Sequence, residues 1–191
     1  MLADLLNDLT GTNEARAEKA VSALIDLGEA AIPALLNLTR SADADERWWG
    51  LCVLAQSPHA PRQAGWLTPF LNDPALEVRQ CAALGLALKP AEEAIQPLVE
   101  ALSDEDSMVA SLTVNALVKI GKAAVPALIE VVTEAPQSAR IHALRALAEI
   151  RDQRAIPIMM KVMEEDSVLL QHWAKEGLER LGLDMVYIKP V

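Results

Sequence analysis

The sequence predicts an all-α fold, a right-handed α-solenoid (superhelix) of about six two-helix repeats, and three periodic features lead to it. A small residue followed by Leu recurs as Ala23-Leu24, Val53-Leu54, Gly85-Leu86, Ala116-Leu117, Ala146-Leu147 and Gly177-Leu178, at intervals of 30, 32, 31, 30 and 31 residues. Self-similarity at such a period is the signature of stacked repeats. Four residues before each of these leucines stand Ala20, Gly50, Ala82, Thr113, Ala143 and Ala174, all small, as close helix crossing requires. Four residues after them stand Gly28, Pro58, Pro90, Gly121, Arg151 and Gly182, and five of these six are residues that end helices. Composition agrees, because hydrophobic residues make up 52% of the 191 and aromatics only 3%, which favours helices packed through small side chains.

The elements follow in order from this register. The pairs fall at roughly 1–10 with 13–27, 30–40 with 44–56, 63–72 with 75–88, 92–103 with 106–120, 123–134 with 137–150, and 153–165 with 168–181. In each pair the second helix carries the marker leucine. The leading helix is amphipathic, with Ile95, Leu98, Val99 and Leu102 in one pair, Val125, Leu128, Ile129 and Val132 in the next, and Ile156, Met159, Val162 and Met163 in the last. Pro33, Pro97, Pro126 and Pro157 fall near the start of leading helices, where a missing N–H costs least. The acidic clusters Asp104-Glu105-Asp106 and Glu164-Glu165-Asp166 lie at turns and read as solvated caps that complement a helix N-terminus. One hairpin of this length cannot bury its own apolar face, so neighbours must stack, and residues 1–182 are expected to form a single array. Ser57-Pro58-His59-Ala60-Pro61-Arg62 is the nearest thing to a linker, and 183–191 is a tail whose Met185-Val186-Tyr187-Ile188 could pack over the last repeat.

The segments DPALEVRQCAALGLAL, VNALVKIGKAAVPALIEVV and ALRALAEIRDQRAIPIM resemble the HEAT-like repeats of phycobilisome-lyase (PBS-lyase) proteins, and the resemblance covers essentially the whole chain. Those repeats favour Val-Arg at the start of the second helix. Val78-Arg79 matches fully, Arg47 and Arg140 match in part, and Ala17, Ala110 and Gln171 depart. The resemblance implies the fold far more than a function, since such arrays serve as scaffolds, chaperone-like factors, bilin-attachment subunits and some enzymes.

Charge and composition narrow the function. A formal charge of -10 opposes a phosphate backbone, so nucleic acid is not expected as a partner. No apolar run reaches the roughly 18 residues that span a bilayer, and the acidic start MLADLLNDLT is unlike a signal peptide; a cytoplasmic protein without membrane association is expected. Cys52 and Cys81 have no CxxC spacing and no ligand-type neighbours, and read as free thiols in packing or passive surface. His59, His142 and His172 are followed by Ala, Ala and Trp, so the paired His-Glu motifs of a di-iron site are missing. No P-loop, GxGxxG or GxSxG occurs. No metal, cofactor or catalytic residue is expected.

The candidate binding face comes from helix geometry. With the marker leucine and the residues three, four and seven before it turned inward, those two and five before it turn outward. This selects Trp48, Trp49, Cys52, Cys81, Leu84 and Leu112 as an apolar strip, continued by Asn115, His142, Arg145, His172, Trp173 and Glu176. Tryptophans with polar groups alongside suit a binding face, although Trp48 or Trp49 could instead fill a gap between hairpins. The reading is therefore a non-catalytic scaffold or adaptor, a monomer or weak homodimer, that binds a protein or peptide on the concave face of the second helices. The alternative implied by the resemblance is a bilin-handling or bilin-lyase-like subunit, with an apolar groove and Arg145 holding a tetrapyrrole and its propionates.

Overall fold

The computed structural model describes residues 1–60, 64–164 and 167–183. Eleven α-helices occur among them: α1 (Leu2–Leu9), α2 (Glu14–Asp26), α3 (Ile32–Leu38), α4 (Ala44–Gln56), α5 (Leu76–Leu88), α6 (Ile95–Ala101), α7 (Ser107–Ile120), α8 (Val125–Glu134), α9 (Gln137–Ile150), α10 (Ile156–Val162) and α11 (Val168–Arg180). No strand is present among the described residues. The chain divides into two compact units, residues 1–89 and residues 90–191. In the first, α1 packs on α2, α3 on α4, and α4 on α5; in the second, α6 packs on α7, α8 on α9, and α10 on α11, with α9 between α7 and α11. The tail motif at 185–188, Pro61-Arg62 of the linker-like stretch and Glu165-Asp166 of the second acidic cluster lie outside the described residues.

The marker register is the core register. Leu24, Leu54, Leu86, Leu117, Leu147 and Leu178 are all buried, and so are the small residues one turn earlier, from Ala20 to Ala174. The small side chains let neighbours approach closely: a Cβ on Gly50 would stand 3.0 Å from the Leu35 carbonyl oxygen, and one on Gly85 would stand 3.2 Å from Leu67. Helix ends also keep phase. Gly28, Gly121 and Gly182 have φ of 62°, 77° and 83°, and Arg151, the one expected stop without a helix-ending residue type, adopts a left-handed φ of 55° itself.

Hairpin turns repeat a local hydrogen-bond pattern. The side chains of Ser41, Asp73 and Asp104 accept from the N–H two residues on, at 3.1, 2.9 and 2.8 Å, and this Asx-type turn aims the chain into the next helix. Asn13, Asp43 and Asp106 then cap α2, α4 and α7 by accepting first-turn N–H groups. Arg47 donates to the Ser41 and Ala42 carbonyls and Arg140 to Val132, so these arginines tie the second helix to the carbonyls that end the first. Gln171 makes the same connection to the Met163 carbonyl at 3.3 Å, although it departs from the arginine pattern. Arg47 also holds Asp73 through two 2.8 Å contacts.

The third hairpin differs from its expectation. The leading helix placed at 63–72 is two 3-10 turns, Ala64–Trp66 and Thr68–Asn72. Gly65 and Pro69 explain this, since glycine weakens a helix and proline removes a backbone donor. Leu67 and Leu71 still bury their side chains, so the segment does its packing without a regular helix.

Candidate functional site

The second helices α4 and α5 place their outward positions side by side within the first unit. On α4, Cys52 lies between Trp49 and Gln56 along one face; on α5, Cys81, Leu84 and Leu88 follow the same spacing. Between them runs a groove of about 390 Å³ lined by Cys52, Ala55, Gln56, Cys81, Leu84, Gly85 and Leu88. Leu84 and Leu88 are 47% and 52% exposed, one turn apart on one wall. The small residues Ala55 and Gly85 keep the groove open, because neither supplies a side chain large enough to fill it. Gln56 is held by its donation to the Cys52 carbonyl at 3.0 Å.

The two thiols meet in this groove, with Cys52 Sγ 3.1 Å from Cys81 Sγ. Cys52 is half-buried, whereas Cys81 is only 6% exposed, so it is covered rather than turned outward as the helical wheel places it. Its neighbour on α4 is the reason: Cys52 lies against it. The Cys81 thiol hydrogen-bonded to Cys52 lowers the Cys52 pKa against the opposing effect of burial. The same contact, followed by burial, raises that of Cys81. Of the two thiols, Cys52 is the one that ionises more readily.

Trp48 and Trp49 form an edge-to-face pair with ring centroids 4.6 Å apart and planes at 68°. Both are half-buried, and Trp49 packs on the core around Leu35, Val53 and Leu54. Trp49 is therefore largely a packing residue. The remaining predicted residues belong to the second unit. Asn115 and His172 are exposed, and Leu112, His142, Arg145, Trp173 and Glu176 are half-buried. Arg145 pairs with Glu149 at 3.4 Å, and Glu176 accepts from Arg180 at 2.8 Å, so both charges are engaged along their own helices. His172 and Trp173 make a second edge-to-face contact at 5.3 Å. Burial, and then the Arg145 charge, hold His142 below the ordinary histidine pKa, and its Nδ1 has no hydrogen-bond partner among the described residues. Among the described residues no three of His, Cys, Asp or Glu converge as metal ligands, and no helix is long and apolar enough to cross a membrane.

Sequence reasoning missed Gln56 and Leu88 as groove residues. Each stands four residues after a selected one, Cys52 and Leu84, so extending the outward stripe by one helical turn finds both.

Residues 64–138 match the HEAT repeats, and residues 139–165 match the PBS lyase HEAT-like repeat. The chain is a HEAT-repeat protein whose repeats include one of the PBS lyase HEAT-like type. This HEAT-repeat protein is similar to bilin biosynthesis protein RpcF of Synechococcus sp. (strain WH8020), at 34% identity over 48% of this chain and 44% of the relative. It is similar to the phycocyanobilin lyase subunit beta of Pseudanabaena tenuis (strain PCC 7409), at 39% identity over 51% of this chain and 35% of the relative. A phycobilisome maturation protein of Synechococcus elongatus matches at 33% identity, over 54% of this chain and 50% of the relative. The chain thus spans half or less of the length of these relatives. Among solved structures, an archaeal HEAT-like repeats protein from Thermococcus onnurineus NA1 shares the fold, with a TM-score of 0.67 at 15% identity over 95% of this chain and 80% of that one. An engineered protein matches with a TM-score of 0.52 at 22% identity, over 95% and 96% of the two chains.

The relatives correct two expectations for the HEAT-repeat chain. The reading as a non-catalytic scaffold or adaptor, and with it the expectation of no enzymatic role, is overturned by relatives named for bilin biosynthesis and for a phycocyanobilin lyase subunit. The sequence holds no recognisable catalytic spacing, and repeat periodicity reveals a fold without its function.

Proposed function

We propose that this protein handles linear tetrapyrroles as a bilin-lyase-like subunit, and that the groove between α4 and α5 is where the bilin rests. The similarity to the bilin biosynthesis protein and to the phycocyanobilin lyase subunit carries this reading. The groove supplies a surface of the right chemistry. A bilin presents flat conjugated rings, and these gain most from apolar walls such as those of Leu84 and Leu88, with a few polar groups to set orientation. Gln56 and the two thiols are the polar groups within reach. A groove of about 390 Å³ takes part of such a ligand and leaves the rest exposed, which suits a protein that passes its ligand on. A partner subunit and an acceptor protein complete the activity, as the name of a lyase subunit among the relatives suggests, and the work takes place in the cytoplasm.

The test is spectroscopic. Free bilin titrated with the purified protein is expected to shift its visible absorption and to gain fluorescence as its rings are held rigid. An unchanged spectrum at saturating protein, with helical circular dichroism intact, would overturn the reading.

A further inference from the structure

We propose that Cys52 and Cys81 form a redox-active dithiol that closes to an intramolecular disulfide by exchange with a small-molecule disulfide such as oxidised glutathione. The two cysteines come from different helices, 29 positions apart in sequence, yet their sulfurs stand 3.1 Å apart. A disulfide is about 2.05 Å long, so roughly 1 Å of side-chain movement joins them. Both line the same groove, and its opening past the exposed Leu84 and Leu88 gives a small reagent a path to the sulfurs.

The two thiols have different parts. Cys52 is the more exposed, and its neighbour's S–H stabilises its thiolate; it attacks one sulfur of the incoming disulfide. That S–S bond breaks, one thiolate leaves and takes up a proton, and a mixed disulfide remains on Cys52. Cys81 then loses its proton and attacks Cys52 Sγ, expelling the second thiolate. In total the two protein thiols are oxidised and the small disulfide is reduced to two thiols. Cys81 is covered and its pKa is raised, so it resolves the adduct rather than starting the exchange. Closure joins the floor of the groove between α4 and α5 and removes both thiols from it.

The experiment equilibrates the bilin-free protein in glutathione buffers of increasing oxidised fraction, quenches with acid, alkylates and reads intact mass. Wild type is expected to lose ~2 Da without taking an alkyl group, and to regain two alkylatable thiols on reduction. Cys81→Ser is expected to accumulate glutathione on residue 52, and Cys52→Ser to stay reduced under the same conditions. A wild-type protein that stays fully reduced, stops at the mixed disulfide or links two chains instead would overturn the proposal. Because no bilin is present, none of these results bears on the proposed tetrapyrrole binding.

Discussion

At the scale of single residues, the hairpin turns concentrate the polar interactions that hold neighbouring repeats in register. The guanidinium of Arg47 and the carboxylate of Asp73 are 12% and 8% exposed, and each satisfies the other. Asp73 also accepts from the Ala75 N–H. Asp73→Ala is therefore expected to destabilise the first unit by about 3 kcal/mol, because it strands a desolvated guanidinium and uncaps a turn; urea unfolding measures the loss. Burial raises the Asp73 pKa, but the Arg47 guanidinium, the Ala75 N–H and the Arg79 charge outweigh it and hold the group below its ordinary value. Asp152 is lowered from 3.8 to about 2, chiefly by its hydrogen bond from the Arg154 side chain and then by the Arg154 N–H.

Both carboxyls bind protons more weakly folded than unfolded. Their contribution is complete above the ordinary carboxylate value and is lost as the pH falls through the folded value. The melting temperature should thus fall on acidification from about pH 4 toward about pH 2. Asp152→Asn should make that fall shallower; an unchanged slope would show that Asp152 is not part of it. The sequence discloses the acids at the turns but not the Arg47–Asp73 pairing, since these two stand 26 residues apart and only the packing of successive hairpins brings them together.

At the scale of elements, most of the architecture is legible because each repeat answers the same physical demands. A buried leucine, a small residue one turn earlier and a helix stop one turn later are local requirements, so spacing alone reveals them. Arg151 shows the limit of reading residue type: its position calls for a left-handed conformation, and the chain adopts one without glycine. Arg151→Gly is expected to raise stability by up to about 1 kcal/mol, since only the side chain makes φ of 55° unfavourable. The small residues should differ in tolerance. A methyl at Gly50 would press on the Leu35 carbonyl oxygen, Leu38 Cβ and Thr39 Cγ2, all at 3.0 Å, and α3 cannot yield locally. Gly50→Ala should cost about 1–2 kcal/mol even after the gain in helix propensity. At Gly177 the nearest obstacle is the flexible end of Met159, with Ala148 Cβ at 3.3 Å beyond it, so Gly177→Ala should cost less than Gly50→Ala. Thermal melts of the two variants compare them directly. The third leading element was misread for a related reason. Its leucines have helical spacing, but that spacing also fits a pair of 3-10 turns, and Gly65 and Pro69 decide between them.

At the scale of the whole molecule, the fold was legible and the function was not. HEAT-type repeats announce themselves through period, whereas a groove announces itself only through what is absent from it. Ala55 and Gly85 matter here because they fill nothing, and no helical wheel marks them as part of a site. The helical wheel did select Cys52, Cys81 and Leu84, which the fold brings into one groove. It selected Trp49 as well, which packs mainly on the core. The charge of -10 gave no sign of the ligand, because the surface proposed for a bilin is apolar and its recognition does not depend on net charge.

If the groove between α4 and α5 is the bilin-binding surface, the bilin affinity of a Leu84→Glu/Leu88→Glu variant beside wild type reveals it. Both side chains are about half exposed, so the variant should fold with unchanged helical circular dichroism. The variant is expected to bind at least about tenfold more weakly, a loss of about 1.4 kcal/mol or more. Equal affinity in the folded variant would place the bilin outside this groove.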